Sequence, residues 1–300
     1  MRIQYKIYFT LFLCLLIQHT KGLAQASTDL WVMDVEGKGG KIKLLTATAK
    51  PLTNRPEYDN QPSFINDSEL IFSAADAKGN NDLILYSFRT QKFTNLTQSP
   101  DRSEFSPSLT ECGSYFSAIV VEPDGTQRLW LYPITGEAPE LLYDDIFPVG
   151  YYDFYDGKAA LFVLGEPNNL VYVRGKGMVD TLDTDIGRTV RKRPTTPEIS
   201  YLDRKNSKET SQGKAFGISN VNLKTGVKKK YGYAIPGSQD FIWLDKNHLL
   251  MAKGNEVFTK HIQESDWHSL GKIESSSHQG ITRLAYSPEL NKIILVLNRK

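Results

Sequence analysis

The densest group of basic residues in this sequence is the segment GRTVRKRP at positions 187–194. Its guanidinium groups belong to Arg188, Arg191 and Arg193. A guanidinium binds a carboxylate or phosphate through two parallel hydrogen bonds. In a strand, Arg191 and Arg193 project from the same face, since alternate residues share a face. Together with Arg283 from a later repeat, these arginines are candidate contacts for an anionic partner; the alternative is ordinary solvated charge.

A second candidate site is aromatic. The segment DIFPVGYYDFYDG at 145–157 holds more aromatic side chains than one alternating strand buries: Phe147, Tyr151, Tyr152, Phe154 and Tyr155. Aromatic side chains combine apolar area with a polar edge and are enriched at recognition surfaces. We expect Phe147, Tyr151, Tyr152 and Tyr155 to form a patch for a peptide or a sugar ring, or else to pack between neighbouring repeats.

The third kind of candidate chemistry is metal binding. Four histidines follow the N-terminal segment, and none has the close spacing of zinc ligands: His248, His261, His268 and His278. Acidic and amide side chains near the starts of repeats could hold calcium if the fold gathers them, although the same residue types also cap turns: Asp59, Asn60, Asp153, Asn168 and Asp240. We predict no cofactor, with calcium as the alternative.

These residues sit in a unit that recurs about every 45 positions. Six segments align on a shared apolar-strand pattern and place the following residues in equivalent positions: Phe64, Leu109, Phe154, Arg193, Trp243 and Tyr286. A repeat of this length is typical of four-stranded β-propeller blades, each of which buries its faces only against neighbouring blades. The sequence predicts an all-β propeller.

The count of repeats predicts how the ring closes. Five blades begin near Tyr58, Glu104, Gly150, Thr189 and Ser238. The C-terminal remainder supplies two strands of a sixth blade and the N-terminal remainder supplies the other two. A blade shared between the termini removes exposed strand edges, so we expect six blades closed by a split blade, with residues 27–300 forming a single domain.

Residues 1–26 have the pattern of a secretory signal peptide. Arg2 and Lys6 precede an apolar run at 7–17, and Ala24-Gln25-Ala26 is a cleavage site of the A-x-A type. The run is about half the length that a membrane-spanning helix needs. We therefore expect an exported protein with no membrane span after cleavage, located in the periplasm of, or secreted by, a Gram-negative bacterium.

Cleavage changes the charge of the chain. The signal contains three of the 36 basic residues and none of the 34 acidic residues, so the formal charge becomes −1. A balanced charge gives no general attraction to nucleic acid or to anionic membranes. Cys112 becomes the only cysteine, which excludes an intramolecular disulfide, and we expect it to be a small buried residue and the protein to be a monomer.

The repeats resemble those of the TolB-type, WD-repeat-like propeller family. The matching segments are PSFINDSELIFSA, FSPSLTECGSYFSA, LAYSPELNKIILV, NDLILYSF and DLWVMDV. The resemblance implies a six-bladed exported propeller of bacteria. TolB proteins carry an additional α/β domain before the propeller, whereas here the first predicted strand follows the cleavage site. The related peptidases need a G-x-S-x-G nucleophile elbow, which this sequence lacks.

The expected function is a non-enzymatic scaffold that binds a protein or peptide in the cell envelope. The alternative is a propeller enzyme of the lactonase kind, a hydrolase of small molecules with a metal in its central channel.

Overall fold

The computed structural model describes residues 26–300, in which the chain forms a ring of six antiparallel β-sheets. Apart from Ala26, the predicted signal peptide lies outside the described residues. Within residues 26–300, no helix has the length and apolar character needed to cross a membrane. The regular structure is almost entirely strand, with two short 3-10 helices at Gly39–Lys41 and Thr46–Thr48.

The first three complete sheets follow one another along the chain, and we name them blades I, II and III. Blade I contains β4 (Asp59–Phe64), β5 (Glu69–Ala75), β6 (Asn81–Ser87) and β7 (Lys92–Asn95). Blade II contains β8 (Ser103–Leu109), β9 (Tyr115–Val121), β10 (Gln127–Pro133) and β11 (Glu140–Leu141). Blade III contains β12 (Val149–Tyr155), β13 (Lys158–Val163), β14 (Asn169–Gly175) and β15 (Met178–Thr184).

The remaining sheets complete the ring. Blade IV contains β16 (Ile186–Lys192), β17 (Glu198–Thr210), β18 (Gly213–Asn222) and β19 (Lys228–Tyr233). Blade V contains β20 (Phe241–Trp243), β21 (His248–Lys253), β22 (Glu256–His261) and β23 (His268–Lys272). Blade VI joins the two ends of the chain through β24 (His278–Ser287), β25 (Lys292–Arg299), β1 (Thr28–Glu36), β2 (Lys43–Leu44) and β3 (Lys50–Pro51).

The predicted six blades and the split closing blade are confirmed. β1 pairs with β25 from Thr28 opposite Asn298 to Asp34 opposite Lys292, which removes the edges that an open ring would expose. The predicted blade starts fall within three residues of the observed innermost strands. The residues aligned by the repeat lie at or next to the ends of those strands.

The apolar core lies between blades, because each sheet packs its faces on its two neighbours. Six buried clusters occupy the six junctions of the ring. At the junction of blades III and IV, for example, Phe162 and Tyr172 pack with Ile199 and Tyr201. This packing explains why a single repeat has no core of its own.

Segment 206–214 continues β17 and β18 as a paired hairpin, and Gln212 Oε1 accepts a 2.8 Å hydrogen bond from Lys253 of blade V. One local expectation from the sequence differs from the structure. Cys112 was expected to be buried, but it is exposed in the turn between β8 and β9, because this turn lies beyond the sheet.

Candidate functional site

The candidate site is the central channel, which the innermost strands of the six blades surround. We call the face where these strands begin the upper face and the face where they end the lower face. A lower cavity of ≈ 300 Å³ is lined by residues from all six innermost strands. An upper cavity of ≈ 390 Å³ lies between blades IV, V and VI, with Gln212 of the β17–β18 hairpin in its wall.

A hydrogen bond crosses the channel between opposite blades. Arg283 Nη2 on β24 of blade VI donates to the Tyr151 hydroxyl on β12 of blade III at 2.8 Å, and the guanidinium lies 5.1 Å from the centre of the Tyr151 ring. Arg283 is only 8% exposed. Burial lowers the pKa of the Arg283 guanidinium, but Tyr151, Asp240 and Tyr58 more than reverse this effect, so the side chain stays charged.

Asp240, at the start of blade V, is the acidic member of this group and is 7% exposed. Its Oδ1 lies 3.8 Å from Arg283 Nη1, 3.6 Å from Arg191 Nη2 and 3.5 Å from the Thr189 hydroxyl, which donates its shorter hydrogen bond to the Gln239 carbonyl at 2.6 Å. Its buried Oδ2 has no hydrogen-bond partner among the described residues. The carboxylate therefore holds two arginines through one oxygen and leaves the other available.

Arg188, on β16, borders both cavities together with Asp240 and Arg283. We call these three residues the waist of the channel. Burial raises the pKa of Tyr58 to about 12, and Arg283 and Arg188 both act against that rise. Both guanidiniums therefore lie within electrostatic reach of one phenol.

The lower cavity also contains polar atoms without partners. Within residues 26–300, the Ser106 hydroxyl, the Trp243 indole N–H and the Tyr286 hydroxyl are shielded from solvent and make no hydrogen bond, and all three residues line this cavity. Trp243 and Tyr286 also pack in the apolar clusters between blades. The repeat alignment places both residues at the ends of innermost strands. This placement could have predicted that they line the channel.

Backbone irregularities help to direct these side chains. β4 and β8 each contain a register shift with a positive φ, at Gln61 (56°) and Ser106 (52°). Bulges turn side chains away from the regular alternation. Gln61 Oε1 accepts a 2.7 Å hydrogen bond from the Ser106 backbone N–H of the next blade, which places both residues in the wall of the lower cavity.

Strand alternation predicts that Arg193 and Arg191 project from the same face, but in the structure only Arg191 lines a cavity. Arg193 lies just beyond β16 and is not among the residues that line either cavity. Its guanidinium donates to Glu198 Oε2 at 2.6 Å, to the Tyr231 hydroxyl at 2.9 Å and to the Lys246 carbonyl at 2.6 Å. Because its donors are occupied at the junction of blades IV and V, we leave Arg193 out of the site.

The aromatic candidates do not form one patch. Phe147 is 54% exposed and lies before β12, whereas Tyr155 lies at the opposite end of that strand. Tyr152 is buried and donates to the Ser106 carbonyl at 2.8 Å, and the Tyr155 ring lies 5.4 Å from the ammonium of Lys192. A seven-residue strand spreads its side chains over both faces of the ring, so only Tyr151 and Tyr152 line the lower cavity.

The residues considered for calcium are also dispersed. Asp59 binds Arg55 at 2.5 Å, Asn168 Oδ1 accepts the Gly165 N–H, and Asp153 accepts the backbone N–H groups of Phe154 and Lys192. In the part of the chain that the structure describes, no group of three His, Cys, Asp or Glu side chains is placed to hold a metal. Calcium stays a prediction, which a chelator tests: loss of a structural ion lowers the melting temperature by linkage.

Comparisons with known proteins support the fold. No protein-family model matches the sequence, and no curated protein is significantly similar to it. A protein from Agrobacterium tumefaciens assigned as TolB has 12% identity and a TM-score of 0.65, over 92% of this chain and 100% of that chain. TolB from Acinetobacter baumannii has 12% identity and a TM-score of 0.54, over 91% of this chain and 64% of that chain.

The chain is also similar to a solved structure that is not a TolB protein. A chain of a nidogen/laminin complex has 12% identity and a TM-score of 0.58, over 82% of this chain and 94% of that chain. Identities at this level establish the fold and leave the activity open. The chain has the six-bladed β-propeller fold of TolB-type proteins.

Proposed function

We propose that this propeller is a non-enzymatic scaffold that binds a segment of a protein or peptide in its lower cavity. The observation that carries the proposal is the set of polar atoms without partners around that cavity. Buried polar groups are normally hydrogen-bonded, and Trp243 and Tyr286 place an N–H and a hydroxyl beside aromatic rings. A lining that combines aromatic rings with unpaired polar atoms suits a peptide, which supplies both carbonyls and N–H groups.

Arg191 adds an electrostatic contribution at the same cavity. Its side chain is 34% exposed, and its contacts with Asp240 Oδ1 at 3.6 Å and the Phe241 carbonyl at 3.4 Å are long. Long contacts leave the guanidinium able to turn toward a bound group. Arg191 would then bind an acidic residue of the partner that lies near the lower face of the propeller.

The test is capture from solubilised cell envelopes by immobilised residues 27–300, followed by purification of the captured protein and measurement of its Kd. The variants Trp243→Phe and Tyr286→Phe each remove one polar group, and Arg191→Gln removes the charge. We expect each to weaken binding of the purified partner about 5- to 10-fold. Arg89→Gln, in an exposed turn of blade I, is the matched control. Equal affinity in all five proteins would refute the assignment to this cavity.

Export to the envelope is part of the proposal and has its own test. Expression of the full chain in a Gram-negative bacterium should give a periplasmic or secreted protein whose first residue is Ser27. Deletion of residues 2–26 should keep the protein in the cytoplasm. An uncleaved, cytoplasmic full-length protein would exclude export.

A further inference from the structure

The waist of the channel contains a guanidinium, that of Arg188, that has no partner among residues 26–300. Arg283 and Asp240 contact each other, and Arg283 also bonds Tyr151. Arg188 makes no hydrogen bond or salt bridge with any residue of 26–300, and its Nε is shielded from solvent. Arg188 is partly exposed, and partial removal of a cation from water without a counter-charge costs free energy, so the arrangement favours an anion from outside the chain.

The second unsatisfied group at the waist is an acceptor. Asp240 Oδ2 is buried and unpartnered among the described residues, while Oδ1 takes the contacts from Thr189, Arg191 and Arg283. A carboxylate oxygen accepts hydrogen bonds and donates none. An occupant that pairs Arg188 with an anionic group therefore also needs an N–H or O–H beside that group.

The charge of the waist favours an anionic occupant. Arg188 and Arg283 contribute two positive charges against the one negative charge of Asp240, and Arg191, which contacts Asp240 from the lower cavity, adds a further positive charge. A planar carboxylate also matches the donor fork of a guanidinium.

We infer that the waist binds the C-terminal carboxylate of a peptide chain, with Arg188 as the contact for the carboxylate and Asp240 Oδ2 as the acceptor for a neighbouring backbone N–H. The inference rests on the proposed function and names the chemistry of its partner. The preceding residues of the peptide occupy the lower cavity, where Trp243 Nε1 is a donor for a peptide carbonyl. Capture of a terminal carboxylate by convergent donors is a recurrent mode of peptide recognition.

The test compares two random libraries of N-acetyl heptapeptides, one ending in a free carboxylate and one ending in a carboxamide. Immobilised residues 27–300 select from each library, and enriched sequences are synthesised in both forms. Their Kd is measured with a fluorophore on Cys112, the only cysteine after residue 26, which is exposed on the lower face. We expect enrichment from the free-acid library only, and amidation should weaken binding at least 10-fold.

Substitutions at the waist give an independent result. Arg188→Gln should weaken the binding of the free-acid peptides about 10- to 100-fold, the range for a lost hydrogen bond between charged groups. It should leave the affinity for the amides unchanged. Arg188→Lys should restore part of the affinity. Because Arg188 has no partner among the described residues, Arg188→Gln should not lower the melting temperature, which separates a binding defect from misfolding. Arg89→Gln is again the control.

The outcomes separate this inference from the proposed function. Peptides that bind equally as acid and amide, and that depend on Trp243 and Tyr286, would overturn the carboxylate assignment and leave the scaffold intact. Stronger competition by inorganic phosphate than by acetate, or by free glycine than by acetyl-glycine, would also overturn it. Absence of binding from both libraries would count against both proposals.

Discussion

His278 Nε2 and Asp29 Oδ2 lie 2.7 Å apart, although 249 positions separate the two residues in the chain. Both side chains are buried in blade VI, where the C-terminal strands meet β1. Asp29 Oδ2 also lies 2.6 Å from Arg299 Nε, and Oδ1 accepts hydrogen bonds from Thr53 and the Arg55 backbone. One carboxylate thus joins both ends of the chain at the point where the ring closes.

Asp29→Asn should destabilise the closed ring. The substitution removes the negative charge that faces His278 and Arg299, and loss of one partner from a buried pair costs on the order of 3 kcal/mol. Chemical unfolding measures the change. Asp67→Asn, in an exposed turn of blade I, is the control and should alter the free energy of unfolding by less than about 0.5 kcal/mol. A stable Asp29→Asn protein would show that backbone pairing alone closes the ring.

Removal of the last 20 residues should have a larger effect, because it deletes β25 and most of β24 and leaves the inner edge of β1 unpaired. We expect a chain that aggregates or lacks a cooperative transition. A truncated protein that remains monomeric and unfolds cooperatively would contradict closure through the split blade.

Arg193 and Arg191 should respond differently to substitution. The Arg193 side chain is 12% exposed and pairs with the buried Glu198. Arg193→Met should therefore lower the free energy of unfolding by about 3 kcal/mol. Arg191→Met should cost less than about 1 kcal/mol, because its contacts are long and partly solvated. Binding of the captured partner should fall only in the second variant. The reverse pattern would place Arg193 in the site.

Asp183 should make stability depend on acid pH. Burial raises the pKa of its carboxyl, but hydrogen bonds from Lys205, Tyr201 and Lys228 outweigh this and hold the pKa well below its usual range. A depressed carboxyl pKa stabilises the fold above the unfolded-state pKa of about 4, and this stabilisation is lost as the pH falls toward the folded-state pKa.

The measurement is the free energy of unfolding between pH 7 and pH 2. Asp183→Asn should lose on the order of 3 kcal/mol at pH 7 and should show a shallower decline in acid than the wild type. Parallel curves for the two proteins would assign the acid dependence to other carboxylates.

Among the cations of residues 26–300, Lys260 is the least solvated, with no exposed surface and one hydrogen bond, from Nζ to the Tyr231 carbonyl at 2.7 Å. Burial lowers the pKa of its amine, against the attraction of Asp266. A lowered lysine pKa means that stability rises as the pH increases from the folded-state pKa toward the unfolded-state value.

Lys260→Met should therefore increase the free energy of unfolding at pH 7 by about 1 kcal/mol, because a methionine fills a similar volume without a buried charge. The advantage should shrink at pH 10. Lys78→Met, in an exposed turn, serves as the control. A Lys260→Met protein less stable than the wild type at both pH values would show that the bond to Tyr231 dominates.

The repeat period determined most of the fold. Residues such as Phe64, Trp243 and Tyr286 recur at the length of one blade, and the two incomplete units at the chain ends together make one blade. These are local properties: strand alternation, turn residues and the need of each sheet for neighbours are all written within about 45 residues. The arginines of 187–194 likewise identified an innermost strand that borders both cavities.

Only the tertiary structure decided which side chains meet. Arg283 and Tyr151 bond across the channel because blades III and VI lie opposite each other in a ring of six, and no local pattern records that distance. Arg191 and Arg193 are two positions apart, yet one faces the cavity and the other is bound by Glu198 and Tyr231 where β16 ends. Strand ends, bulges and ring closure set these directions, so the sequence named the residue types and the fold determined their partners.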